Sequence, residues 1–478
     1  MDKKIVKNYF YTILYQLLII FTPFITTPYL TRVMGADALS INTWTSNIVQ
    51  WFVLFGIMGV NHYGNKEIAK VRDDKKELSK TFFEIFCMQF INMILALLAF
   101  VIFINTISVD YHLIFKIQCI TLLSVALDIT WFFYGVENFK TASIRNMIVK
   151  IVGIILIFTF VKDPSDLSKF VLINTTTGVL GQLIMWVQLR HYICFVKISF
   201  KDVIKHLKPN IELFIPQIAI SVYSILDITM LGSLYPDLKH VEFYEQSQKF
   251  VKMFLFFITS IGSVMLPRVT NVFHKKEYEK ANAYLNKTIH LAIYLSIPMI
   301  AGIISLIENF IVWFLPPEFY VVSRMIIYTT PIIFFISLSN VFGIQYMIPV
   351  GITNKYTISV VSGAVTNCLV NFFLIPKFGA YGAIVGSVSA ELVVVLVQYH
   401  YVKNQLKLHV KKSAIMRVIF ASCVMGFAVH FTGKIGSNIA VNFLQVLVGA
   451  TCYFSMLLIM KDEFLISMLK SLKRDKNA

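Results

Sequence analysis

The chain is poor in charge: only 14% of its 478 residues are Asp, Glu, Lys or Arg, against roughly a quarter in soluble domains. That shortfall excludes an ordinary water-soluble enzyme of this length. Cysteine is also sparse, with six residues (Cys87, Cys119, Cys194, Cys368, Cys423, Cys452) far apart and no Cys-x-x-Cys pair, so no disulfide framework or metal site is expected. No phosphate-binding loop G-x-x-x-x-G-K-[ST], no H-E-x-x-H and no G-x-S-x-G is present. ATP-driven and hydrolytic chemistry therefore lack their usual machinery, and neither cofactor nor metal is expected. Acidic residues are few, 26 against 43 basic ones, for a net charge of +17. The basic residues fall in short clusters between apolar runs, which is how a membrane protein marks its cytoplasmic side rather than how a protein builds a nucleic-acid surface.

What is abundant is apolar: 57% hydrophobic residues, 42 of them Phe, and a mean hydropathy of +0.71. One or two globular cores cannot hide that much, so lipid must cover it. A hydrocarbon core about 30 Å thick needs roughly 20 apolar residues per helix. That ruler gives about 14 transmembrane helices, near 9–31, 41–63, 81–104, 113–135, 143–161, 167–189, 211–234, 242–266, 284–307, 323–348, 357–376, 382–402, 415–432 and 441–460. Alternate connections differ in charge: one set, with both ends of the chain, holds 32 of the 43 basic residues and the other eight. Both termini are therefore expected in the cytoplasm. The amino-terminal run passes through Pro23 and Pro28 with no small-residue cleavage site, so it reads as a retained first helix.

A weak repeat of roughly 200 residues shows in hydropathy and charge rhythm. Val33-Met34-Gly35 leads to the charge run 66–80, and Met230-Leu231-Gly232 leads to 268–280; the sixth helices both close with Val-Gln and a basic-aromatic cluster, at 187–192 and 397–401. The expected fold is an all-α integral membrane protein. Two six-helix bundles, 1–205 and 206–405, surround a central cavity, and 406–478 adds two helices and a tail. Such halves suggest alternating access.

Charges inside the spans mark the candidate site. In the eighth span the apolar run 253–266 has only 14 residues, about 21 Å at 1.5 Å per residue. Completing the crossing draws in Lys252 and Lys249, with Glu245 near the outer edge. A central charge facing lipid costs about 2.5–3.5 kcal/mol on the lenient scale, so these groups are expected to face water. Glu245 and Lys249 stand four apart and can pair; Asp227 lies at a comparable depth, and Lys252 is the freer cation. The first half adds Arg32 at the outer end of the first span, Asp128 in the fourth and Lys150 in the fifth; Glu391 lies in the twelfth. Arg32, Lys249, Lys252 and Lys150 are candidate substrate-binding cations, and Asp128, Asp227, Glu245 and Glu391 candidate ion-coupling carboxylates. The small residues Gly178, Gly181, Gly379, Gly382, Gly386 and Ser387 read as tight helix contacts. Trp131–Tyr134 reads as structural, with sugar stacking as its alternative.

Several stretches resemble one family. Residues 128–140 (Asp-Ile-Thr-Trp-Phe-Phe-Tyr-Gly-Val-Glu-Asn-Phe-Lys), continuing to Arg145 and Asn146, are similar to the fourth-to-fifth helix signature of bacterial oligosaccharide flippases, the Wzx-type polysaccharide transporters. Residues 28–35, 59–69, 345–350, 367–371 and 375–383 resemble that family's first, second and tenth-to-twelfth helix regions. The resemblance implies the multidrug/oligosaccharidyl-lipid/polysaccharide exporter fold in the bacterial plasma membrane. It also implies transport of an undecaprenyl-diphosphate-linked oligosaccharide to the outer leaflet. Glycosyltransferases and a polysaccharide polymerase of the same pathway are the implied partners. The alternatives are a cation-coupled multidrug exporter of the same superfamily and, from another class, a membrane glycosyltransferase or polymerase. The latter needs catalytic residues on a sizeable outer loop, and the longest outer connection is only about Glu308 to Tyr320.

Overall fold

The computed structural model describes residues 3–106, 111–406 and 411–475. They form two compact units, Met1–Gly232 and Ser233–Ala478. The sequence-based boundary at 205/206 falls at the link into α9, whereas compactness places the division one helix later.

The first unit contains α1 (Lys3–Ile57), α2 (Val60–Val71), α3 (Lys75–Thr106), α4 (His112–Ala126), α5 (Thr130–Gly135), α6 (Phe139–Phe160), α7 (Leu167–Leu189), the short α8 (Phe200–Ile204) and most of α9 (Leu207–Leu234). The second contains α10 (Lys239–His274), α11 (Tyr278–Phe314), α12 (Val321–Thr329), α13 (Pro331–Ser339), a π-helical segment Asn340–Met347, α14 (Thr353–Phe378), α15 (Ala380–Val402), α16 (Lys412–Gly433), α17 (Ile439–Ile459) and α18 (Glu463–Asp475).

Eleven helical stretches among the described residues are long and apolar enough to cross a bilayer, or twelve when the pair Pro317–Thr329 and Pro331–Met347, bent by 42°, is taken as one span. The expected fourteen is not reached by this measure. The first stretch, Leu14–Val71, is 58 residues long and takes in the second expected span and most of the first; the seventh expected span, 211–234, lies partly outside the described side chains, and its described apolar part is Ile225–Leu234. Inside α1 the two expected spans are separated at Gly35, whose φ of 69° and ψ of 177° break the helix; glycine alone adopts such a conformation at little cost.

The fourth expected span is a broken helix, and the break explains the aromatic signature. Helical pairing lapses between Ala126 and Thr130, freeing carbonyls that hydrocarbon cannot solvate. The fully buried Gln89 of α3 takes three of them: its Nε2 lies 3.0, 3.3 and 2.8 Å from the carbonyl oxygens of Val125, Ala126 and Asp128. Its Oε1 accepts from Trp131 Nε1 at 2.8 Å, and Trp186 Nε1 donates to Leu127 O at 2.9 Å. Trp131, Phe132 and Phe133 are fully buried beside Phe82 and Ile85. A Cβ on Gly64 would lie 2.5 Å from the Trp131 ring. These three rings are thus core, and the sugar-stacking alternative is excluded for them.

The small residues behave as close contacts. Gly181 faces Val149 and Gly178 faces Ser124, while Gly382 lies against the Leu374 backbone and Gly386 against Asn371. Gly379, with φ of 55°, makes the turn between α14 and α15. All six cysteines are unpaired. Aliphatic and aromatic side chains are exposed along the spans, Leu95, Ile102, Phe373, Phe427 and Phe443 among them, as lipid contact requires.

Gln89→Leu keeps the volume but takes the side-chain donor from the carbonyls of residues 126 and 128 and the acceptor from Trp131 Nε1, while Val125 O keeps its bond from Asp128 N. At about 1–3 kcal/mol for a buried unsatisfied group, it is expected to lower the thermal midpoint of the purified protein markedly, whereas Leu95→Ala on the lipid face shifts it little.

Candidate functional site

The amino-terminal half of α10 carries Glu242, Glu245, Lys249 and Lys252. Steps of three and four residues put them on one helical face. Glu242 is buried at 2% exposure and accepts from Gln246 Nε2 at 2.6 Å. Glu245 and Lys249 pair as the four-residue spacing anticipates, Nζ to Oε1 at 3.2 Å. Lys252 is exposed and makes no ion pair among the described residues. Tyr244 and Ser387 join α10 to α15 through their hydroxyls, 2.8 Å apart, which fixes the rotation of the charged face. Glu242 extends the predicted set; its three-residue spacing to Glu245 was the available signal, masked by its position at the start of the apolar run.

In the first unit, Asp128 sits at the helix break. Its Oδ1 accepts from Thr130 N at 2.8 Å and Thr130 Oγ1 at 2.5 Å, with Arg145 Nη2 at 3.9 Å. The Arg145 side chain, near the start of α6, is only 11% exposed. It donates to Gln182 Oε1 at 2.8 Å, Thr130 Oγ1 at 3.2 Å and Asn146 Oδ1 at 2.6 Å. Asp128 is therefore part of a knot tying α5, α6 and α7. Arg32 is exposed and bonds back to Pro28 O at 2.8 Å. Lys150 is exposed on α6, Asp227 is buried in α9 at 5% exposure, and Glu391 is half-buried on α15. Of the eight predicted residues, Glu245 and Lys249 are brought together as an ion pair.

A second buried cluster escaped the sequence reading. Glu84 of α3 is 1% exposed and meets His206 Nε2 and Lys205 Nζ, each at 2.8 Å. The Tyr63 hydroxyl lies 2.6 Å from His206 Nδ1. A carboxylate only accepts, so Nε2 carries a proton toward Glu84, and the Tyr63 hydroxyl bonds Nδ1 on the other side of the ring. This Tyr–His–Glu line pins the start of α9 to α2 and α3. A lone Glu inside an apolar run was its signal, but its partners are 21 and 122 residues away in sequence. Nearby, Arg72 at the end of α2 pairs with Glu137 at 2.5 Å, and that carboxylate raises the guanidinium's already high pKa.

The family model described as polysaccharide biosynthesis protein matches residues 5–273. The chain belongs to that family. A second model, MatE, matches residues 213–373. A Shigella dysenteriae protein bearing the name O-antigen transporter is 25% identical over 392 residues, covering 80% of this chain and 96% of its own. A like-named protein of Escherichia coli K12 is 22% identical over 80% of this chain and 92% of its own. Among solved structures, the inward closed conformation of the lipid II flippase MurJ aligns with a TM-score of 0.75 at 16% identity. It covers 96% of this chain and 99% of that one, which identifies the fold. The polysaccharide family member described here is accordingly a multi-pass membrane protein with the MurJ fold, and its named relatives are transporters, not enzymes.

Glu84→Leu removes the acceptor that both His206 and Lys205 use. A loss of about 2–3 kcal/mol, typical of bonds to a charged group, is expected in chemical unfolding of the purified protein. Lys205→Ala, at the half-exposed end of the same cluster, is expected to cost under about 1 kcal/mol.

Proposed function

We propose that this chain moves an undecaprenyl-diphosphate-linked oligosaccharide repeat unit from the cytoplasmic to the outer leaflet of the bacterial plasma membrane by alternating access, with both termini in the cytoplasm. Cell-surface polysaccharide assembly uses the product, with the pathway's glycosyltransferases and polymerase as partners. The reading is supported by relatives named as O-antigen transporters and by the likeness to a lipid II flippase. The observation that carries it is the α10 face, where Lys249 and Lys252 sit within a candidate membrane span.

The physical task is solvation. A glycan headgroup and an anionic diphosphate lose several kcal/mol for each polar group left unmatched in hydrocarbon. In this mechanism Arg32, Lys249 and Lys252 meet the diphosphate or acidic sugars, Lys150 supplies a cation on the cytoplasmic side, and the lipid tail stays in the bilayer. With a negative interior, outward movement of an anion is favoured by about 2.3 kcal/mol per charge per 100 mV. Asp128, Asp227, Glu245 and Glu391 are the carboxylates through which a coupling ion could act. Asp128 is held by Thr130 and lies near Arg145. The MatE match over 213–373 favours one competing reading, a cation-coupled multidrug exporter.

In a deletion strain, Lys252→Ala and Arg32→Ala are each expected to cut surface glycan roughly tenfold at equal protein abundance, the loss of one contact to a charged group. Lipid-linked repeat units should accumulate. Normal glycan with both variants overturns this charge assignment; normal glycan together with drug sensitivity in the deletion strain itself favours the exporter.

A further inference from the structure

The basic connections after α10 and α15 mark what the charge count assigns as the cytoplasmic side, and between them the second unit has an open pocket of about 440 Å³. That lies in the usual range for small-ligand sites, about 300–1,000 Å³. Its wall is aromatic. Phe273 at the end of α10 packs edge-on against Tyr278 of α11, ring centroids 6.1 Å apart, and against Tyr346 of the π-helical segment at 5.7 Å. Its rim is amide and imidazole: Asn282, Gln405 and His274.

Two features show a pocket built for a polar, uncharged ring. First, the rim groups are available. Gln405 Oε1 accepts from the Tyr346 hydroxyl at 3.1 Å, which orients its amide nitrogen as a donor. That nitrogen, the Asn282 side chain and the His274 ring make no hydrogen bond among the described residues. Amides supply donor and acceptor side by side, matching adjacent hydroxyls, while aromatic surfaces cover the apolar C–H face of a sugar ring. Second, the residues that line the pocket include no Lys, Arg, Asp or Glu, and of the nearby charges Glu277 and Lys280 neutralise one another at 2.8 Å, so the lining itself offers hydrogen bonds and ring faces rather than a charge for a phosphate. Tyr346 reaches the pocket from a π-helical segment, with Ile348 N bonded to Gly343 O at 3.2 Å, a distortion that recurs at functional sites.

We infer that this pocket, lined by Phe273, Tyr278, Tyr346, Asn282, Gln405 and His274, is a saccharide-binding site that receives a sugar residue of the cargo on the loading side. The inference rests on the flippase reading and deepens it: the α10 lysines hold the anionic part of the cargo, and this pocket holds sugar.

The test uses the full chain in lipid nanodiscs and two probes. One is the lipid-linked repeat unit extracted from the deletion strain; the other is undecaprenyl diphosphate without sugar. Asn282→Ala combined with Gln405→Ala is expected to weaken binding of the glycosylated probe about tenfold, as for two lost hydrogen bonds of ordinary strength. Binding of the sugarless probe should stay within about twofold. His274→Ala, at an exposed position, gives a second variant whose folding is not in question and is expected to act in the same direction. Equal weakening of both probes, or no change in either, overturns the saccharide site while leaving the flippase reading intact. Wild-type protein that binds neither probe overturns the flippase reading, and the site with it.

Discussion

Everything in this molecule answers to one constraint: in hydrocarbon, no water is present to satisfy a polar group, so each must find its partner within the protein. The broken helix at residues 127–129 shows how strictly this holds. One glutamine, Gln89, and one indole, Trp186, take up the carbonyls that the break releases. The surrounding Trp-Phe-Phe sequence then excludes water from the arrangement. What resembles a family signature in sequence is, physically, a sealed helix break and its packing.

The same constraint separates two kinds of charge. Glu84 and Asp462 are almost completely buried, and each is bound by a cation and by further hydrogen bonds. For Asp462 these are Arg417 Nε at 3.0 Å, the Tyr294 hydroxyl at 2.7 Å and two backbone N–H groups that begin α18. A cluster of this kind adds little net stability but makes loss of its buried carboxylate expensive, so these clusters hold helix ends in register. Just before α16 the exposed Lys411 meets Glu463 at 2.8 Å and holds that carboxyl below its ordinary range; exposed pairs like this contribute little. The α10 face differs from both. Its lysines are exposed within a span, Lys249 paired with Glu245, and the helix that carries them is joined to α15 through Tyr244 and Ser387.

Much of the site was legible because its signals are local. The short apolar run 253–266 forced Lys249 and Lys252 into the span, and a four-residue spacing joined Glu245 to Lys249. Small residues at three- and four-residue intervals foretold the close approach of α14 and α15. The part Arg145 plays in the knot was not legible, because a positive charge near a helix start looks the same whether or not it also ties three helices together. The Tyr63–His206–Glu84 line and the pocket at Tyr346 were invisible, since each gathers residues from distant segments.

The sequence by itself determined that this chain is helical, lies in a membrane and carries charge at chosen depths, because hydropathy and helical periodicity are properties of neighbouring residues. Only the tertiary structure decided which of those charges are bound, which aromatic rings are core and where an aromatic pocket opens. Those outcomes depend on side chains meeting across helices, and no spacing along the chain encodes which helices meet.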